Sequence, residues 1–235
     1  MNGSAVERVT MSKKVLGEND RIAARIRADL AAAGTLSLNF IGSPGAGKTA
    51  VLERTLELLP RHTRAVVLTG DVQTENDAVR LQRYGYPVRQ ITTAGACHLD
   101  ARMIEANLDG WIEEGLQLLL IENVGNLVCP TSYDLGEDAK IVVLSCAEGE
   151  DKPLKYPGIF RKAELMLLNK IDLLPYVPFN PELARENARR IHPEIEIIET
   201  SCTSGLGFDR WLNWLAARAE RKRTSARPAE LTETS

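Results

Sequence analysis

The sequence predicts an α/β protein, a mostly parallel β-sheet flanked by helices. Three observations predict it. Short apolar runs of strand length alternate with helical periodicities along the chain, the signature of right-handed βαβ units. Those runs are apolar at nearly every position, as in strands covered on both faces. Between the first run and the helix after it stands Gly42-Ser43-Pro44-Gly45-Ala46-Gly47-Lys48-Thr49, a glycine-rich turn in the strand-to-helix position of a phosphate-binding loop.

The elements follow in order. From about Asn19 to Ala33, Ile22, Ile26 and Leu30 recur at helical spacing, with Asn19 or Asp20 as N-cap and Gly34 as the stop. Residues 1–17 show no clear period and read as an N-terminal extension. Leu36 to Ile41 reads as a strand, Ala50 to Leu59 as a helix stopped by Pro60, and Ala65 to Leu68 as a strand leading into GDVQTEND and a helix through Arg83. Val88 to Thr92 reads as a strand and Cys97 to Leu108 as a helix. Gln117 to Ile121, Ile141 to Leu144 and Leu165 to Leu168 are strand-length runs. Glu182 to Ile191 is helical, and Glu196 to Ile198 is a last short strand. Phe208, Trp211, Leu212, Leu215 and Ala219 form one stripe of a closing helix. The expected organisation is one domain over 18–220, with the polar segment 221–235 a frayed tail.

A chain of 235 residues buries a full core without disulfides. Its 29 basic and 32 acidic residues leave a net charge of -3, which argues against a broadly basic nucleic-acid binder. No run approaches the roughly 18 apolar residues of a membrane span, and MNGSAVERVTMSKK has no apolar core of a secretory signal. The expected location is cytoplasmic, where thiols stay reduced and four cysteines are a poor disulfide framework.

Within the glycine-rich turn, Gly42, Ser43, Gly45, Ala46 and Gly47 let backbone N–H groups face one anion. The helix through Lys48, Thr49 and Ala50 adds its positive dipole end. Lys48 supplies charge to the β- and γ-phosphates, and the Thr49 hydroxyl suits Mg²⁺. Asn169-Lys170-Ile171-Asp172 ends the apolar run Leu165–Leu168. The Asp172 carboxylate suits guanine, whose N1–H and 2-amino group both donate. Adenine offers neither donor on that edge, and a buried acceptor left unpaired is costly. Lys170 would lie over the base plane, and Ser201 and Cys202 would contribute backbone contacts to the guanine oxygen.

Three carboxylates follow strands expected near the phosphate loop. Asp71 and Asp77 lie in GDVQTEND, and Glu122 ends a very apolar run before Gly125. They divide between holding Mg²⁺ and orienting the attacking water, without an individual assignment. The Gly125 N–H faces the γ-phosphate. Phosphoryl transfer to water then rests on positioning and charge neutralisation.

Cys97 and His98 open an expected helix, a place that lowers a thiol pKa. Cys129 follows Gly125 by four residues. Two thiols and an imidazole suit Zn²⁺, Ni²⁺ or Cu⁺, yet the pattern has no CxxC pair and no HxxxH. Small core thiols and a capping histidine are the alternative. A single chain offers an incomplete shell, which a second copy would complete.

GSPGAGKT, GDVQTENDAVR, GACHLDA, IENVGNLVCP, SYDLGEDAK, EGEDKPLKYPGIFRKA and LLNKIDLLP together resemble the family of hydrogenase nickel-incorporation GTPases, from about Ser37 to Trp214. The urease counterpart is expected to carry a Cys-Pro-His type motif instead. The resemblance implies a SIMIBI-class P-loop GTPase that hydrolyses GTP to GDP slowly and forms a homodimer favoured by GTP. It implies nickel or zinc at the subunit interface on the positions of Cys97, His98 and Cys129. It implies a HypA-type accessory protein and the large subunit of a [NiFe] hydrogenase as partners, with no nucleic acid and no membrane. Residues 1–36 hold no Cys or His, so nickel handling is expected to fall to the Cys97 cluster. A P-loop kinase and a regulatory GTPase without metal transfer are the rival readings.

Overall fold

The computed structural model describes residues 4–71, 76–93, 95–108, 110–112 and 115–226, with side chains 4–14, 71 and 76 left aside. Seven strands form one sheet: β1 (Leu36–Ile41), β2 (Ala65–Asp71), β3 (Val88–Thr92), β4 (Leu118–Glu122), β5 (Ala139–Ser145), β6 (Leu165–Asn169) and β7 (Glu196–Thr200). Their order is β3-β2-β4-β1-β5-β6-β7, and every pairing is parallel. The chain therefore departs from β1 to one side, returns through β4, and continues through β5 on the other. Ligands in such sheets sit beyond the carboxyl ends of the strands, where the direction of winding reverses. Ile41, Asp71, Glu122, Asn169 and Thr200 all end strands on that edge.

Both faces of the sheet are covered, which is why β1, β4 and β6 are buried at every position. On one face α2 (Lys48–Leu58) and α8 (Phe208–Ala226) pack Val51, Leu52, Leu56 and Trp211 against Leu36, Leu38 and Phe40. Trp211 meets Phe40 edge-on at 5.8 Å, and its indole N–H donates to Thr55 Oγ1 at 2.8 Å. On the other face α1 (Ser4–Ala33) and α4 (Ala101–Glu105) bring Ile26, Leu30 and Ile104 onto Leu68, Leu119 and Ile121. There too, α6 (Pro157–Lys162) and α7 (Pro181–Ile191) cover Ile41, Val142 and Leu144 with Phe160 and Ala188. Two short helices complete the set, α3 (Asn76–Gln82) and α5 (Lys152–Lys155).

Three sequence expectations differ from the structure. Helix α1 starts at Ser4, so it runs through the boundary expected near residue 17. Residues 4–18 contain only Gly17 as a helix breaker, and helix propensity carries them where amphipathic spacing is absent. The helix expected from Cys97 starts only at Ala101, because Asp100 caps it by accepting from Met103 N at 2.8 Å. The closing helix continues to Ala226, so residues 221–226 are helical, while 227–235 lie outside the described residues.

Candidate functional site

Beyond the end of β1 the chain turns through Gly45 and Gly47, both at positive φ (76° and 97°), and enters α2. At Gly47 a Cβ would strike the Asn169 amide, so only glycine fits there. Asn169 in turn donates from Nδ2 to the Ala46 carbonyl at 3.1 Å and accepts from Thr200 Oγ1 at 3.3 Å. One buried amide thus ties the ends of β6 and β7 to the phosphate loop. The Lys170 ammonium donates to Gly45 O at 2.6 Å, so its side chain lies across the loop. Asp172 is half-exposed in the turn just after, and Ser201 and Cys202 follow β7 at the same edge. Cys202 leans on Asn169 Oδ1 at 3.6 Å, and burial pushes its thiol up to about 11, which makes it a poor nucleophile.

A cleft of about 540 Å³ lies over this loop, lined by Gly45, Lys48, Thr49, Ala50, Glu122 and Gly125 among others. A larger cavity of about 1010 Å³, near Arg61, Tyr84 and Trp111, contains none of the predicted residues. Lys48 is buried, and its ammonium donates to the carbonyls of Gly42 and Ser43 at 3.3 and 3.5 Å. Burial lowers its pKa, against the pull of Glu122.

Glu122 is 4% exposed and accepts from Thr49 Oγ1 at 2.7 Å. Its second oxygen, Oε2, is buried with no hydrogen-bond partner. Burial pushes this carboxyl up to about 7, while Lys48 and Thr49 pull it down. An orphaned carboxylate oxygen beside the loop threonine is a donor set that fits Mg²⁺. Asp77 lines the same cleft and accepts from Arg80 at 3.4 Å. Arg80 is held mainly by Glu53, at 2.5 Å. Asp71 ends β2, and its side chain falls outside the described residues.

Sequence reasoning missed Lys152, whose ammonium stands 3.3 Å from Ser43 Oγ and 3.1 Å from Glu148 Oε2. The motif EGEDKPLKYP carried it, but no spacing rule links residue 152 to residue 43. Asn123 and Tyr133 were missed as well.

The thiols and imidazole come together. Cys97 Sγ and Cys129 Sγ stand 2.7 Å apart, and Cys97 Sγ lies 3.8 Å from His98 Nδ1. The ligand atoms of all three residues lie within 4.8 Å of one another. One correction concerns how they do so. Cys97 sits in a loop ahead of the short α4, not at its N-terminus, so no helix dipole activates it. The Cys129 thiol beside it raises its pKa instead. His98 stacks on the Tyr133 ring at 3.8 Å, and burial lowers its pKa, which favours the neutral, metal-ligating imidazole. Cys129 opens a 3₁₀ turn, Cys129–Ser132, reached directly from the Gly125 loop.

Residues 37–199 match the family model described as the CobW/HypB/UreG nucleotide-binding domain. A hydrogenase maturation factor HypB of Escherichia coli (strain K12) is 53% identical over 201 residues, covering 86% of this chain and 69% of that protein. The chain belongs to the HypB family of hydrogenase maturation factors. Two solved HypB structures agree. One, from Archaeoglobus fulgidus, superposes with a TM-score of 0.81 at 39% identity, covering 86% of this chain and 99% of that one. The other, from Helicobacter pylori and solved in complex with nickel, has a TM-score of 0.81 at 38% identity, covering 91% and 99%. The agreement in fold covers the seven-stranded parallel sheet. Among the described residues no helix is long and apolar enough to cross a membrane.

Proposed function

We propose that this chain is a GTP-hydrolysing metallochaperone that carries Ni²⁺, or Zn²⁺, on Cys97, His98 and Cys129 for insertion into a [NiFe] hydrogenase. One observation carries the reading. The backbone that leaves Glu122, at the magnesium position, passes Gly125 against the phosphate loop and reaches Cys129 four residues later. A segment that senses the γ-phosphate is therefore the segment that delivers a thiolate.

In this reading the Gly42–Thr49 loop and Lys48 hold the phosphates of GTP, and Asp172 accepts from the guanine edge while Lys170 covers the base. Thr49 and Glu122 hold Mg²⁺, with Asp71 or Asp77 as the further carboxylate that orders water. When bound there, Mg²⁺ would supply charge neutralisation for phosphoryl transfer. Lys48 releases the Gly42 and Ser43 carbonyls to meet the β- and γ-phosphate oxygens, and the Gly125 N–H faces the γ-phosphate. Cys97, His98 and Cys129 would supply three ligands, leaving room for a further one. Cys97 is exposed, so a second copy of the chain can close the shell. A GTP-favoured homodimer, a HypA-type accessory protein, the hydrogenase large subunit and a cytoplasmic setting complete the reading.

Phosphate release measured with GTP and with ATP tests it, alongside Ni²⁺ retention by equilibrium dialysis. GTP is expected to turn over and ATP not, with one ion retained per chain. Equal turnover of both nucleotides would favour a P-loop kinase or ATPase. No retained ion would leave a regulatory GTPase.

A further inference from the structure

The two metal-ligand segments are far apart in sequence, yet one stretch holds both. Asn126 pairs its backbone with Gly42, at the start of the phosphate loop, in an isolated antiparallel bridge. Its side-chain Nδ2 donates to the Cys97 carbonyl at 3.2 Å. Its Oδ1 accepts from Val128 N at 2.8 Å, one residue before Cys129. Asn123, three residues earlier, does the same work from inside. It is buried, and its Oδ1 accepts from Leu99 N at 3.2 Å, one residue after His98. Its Nδ2 donates to Asn39 Oδ1 in β1 at 3.2 Å.

That inner contact continues to the ring beside His98. Asn39 donates to Glu137 Oε1 at 3.2 Å, Glu137 pairs with Lys140, and the Lys140 ammonium donates to the Tyr133 carbonyl at 3.0 Å. Tyr133 is the ring on which His98 stacks. Between the two asparagines, Gly125 has no room for a side chain, since a Cβ would lie 2.9 Å from Pro44 Cγ of the phosphate loop. Displacement of the phosphate loop against Gly125 must therefore move Asn123, Asn126 or both.

We infer that Asn123 and Asn126 form a clamp that couples the nucleotide cleft to both metal-ligand segments, with Asn126 as the direct positioning residue between Gly42, Cys97 and Cys129. The inference rests on the proposed coupling of nucleotide and metal, and names the side chains through which it runs. Backbone continuity from Gly125 reaches Cys129 alone. The clamp adds hydrogen bonds to the Cys97 carbonyl and to Leu99 N beside His98, so that the ligands respond as a set. Coupling between sites is a free energy, and removing its physical carrier lowers that energy without abolishing either binding event.

The test measures Ni²⁺ affinity of the full chain with GDP and with a non-hydrolysable GTP analogue, reading the thiolate-to-nickel charge-transfer absorption. In the unchanged protein the two affinities are expected to differ, by roughly 5- to 150-fold for a typical coupling. Asn126→Ala is expected to bring the ratio to within about threefold of one, with the charge-transfer band retained and the melting curve still cooperative. An unchanged ratio in Asn126→Ala overturns the clamp while leaving the coupled reading intact. Equal affinities in the unchanged protein overturn both. Asn126→Asp keeps the acceptor for Val128 but loses the donor to Cys97, and is expected to give an intermediate ratio. A ratio matching the unchanged protein would show that the Cys97 bond carries nothing. If Asn126→Ala does not fold, the Asn126→Asp ratio decides.

Discussion

At Glu122 two demands meet on one carboxyl. In the proposed role beside Thr49 it would hold Mg²⁺ as a carboxylate, yet burial pushes it up to about 7. A carboxyl that binds its proton more tightly when folded makes stability fall as pH rises, across the interval between its unfolded value near 4.5 and its folded value near 7. Lys48, Asp77 and Arg80 are the charged groups that act on it there. In nucleotide-free protein, stability relative to Glu122→Gln is therefore expected to decline from pH 5 to pH 7, by on the order of 3 kcal/mol in total, and to level off above. Urea unfolding of both proteins at several pH values checks this, and parallel curves would contradict it. Lys48→Ala should lower GTP turnover by at least about 100-fold, as loss of a charge aimed at the transition state does. It should leave Ni²⁺ binding to the Cys97 cluster within about twofold, since among the described residues the Lys48 ammonium bonds only Gly42 O and Ser43 O. Phosphate release and dialysis on the same sample separate the two.

Strand ends and the loops after them are the level at which the site is assembled. Asn169 ends β6 and ties the turn after it to the phosphate loop through its bond to the Ala46 carbonyl. Asp172→Ala is expected to narrow GTP-over-ATP preference by about 100-fold or more, because a carboxylate placed for two donors is what rejects adenine. Competition by ATP against a fluorescent GDP measures it. Cys129→Ala should weaken Ni²⁺ by more than the about 10–100-fold typical of losing an outer partner, with GDP affinity unchanged. Much of this assembly is legible in the sequence. The phosphate loop and the Asn-Lys-x-Asp turn are local patterns that stand at strand ends as their apolar runs imply, and the Glu122–Gly125 segment follows from its own run. The polar contacts between segments are not legible. Asn39, Glu137 and Lys140 are brought beside Asn123 and Tyr133 only by the pairing of β1 with β4 and β5. Lys152 reaches Ser43 for the same reason. The helix start was legible in Asp100, a favoured N-cap residue, which outweighs a start at Cys97.

Across the whole molecule, the sheet places a phosphate cleft and a thiol–imidazole cluster on one edge, joined by the stretch from Glu122 to Cys129. The remainder of the fold holds that edge still. Trp211 closes the face under α2 by filling the core beside Phe40 and satisfying Thr55, and Trp211→Ala should cost about 3–5 kcal/mol. The fold class was legible because each βα unit announces itself locally. The strand order was not, since β4 enters between β1 and β2 by a crossover that no local pattern encodes. The most direct test of the account is isothermal titration of Ni²⁺ into nucleotide-free, GDP-loaded and GTP-analogue-loaded protein. Affinity that changes with the γ-phosphate, at one ion per chain and lost in Cys129→Ala, is the predicted result. Three identical isotherms would contradict it.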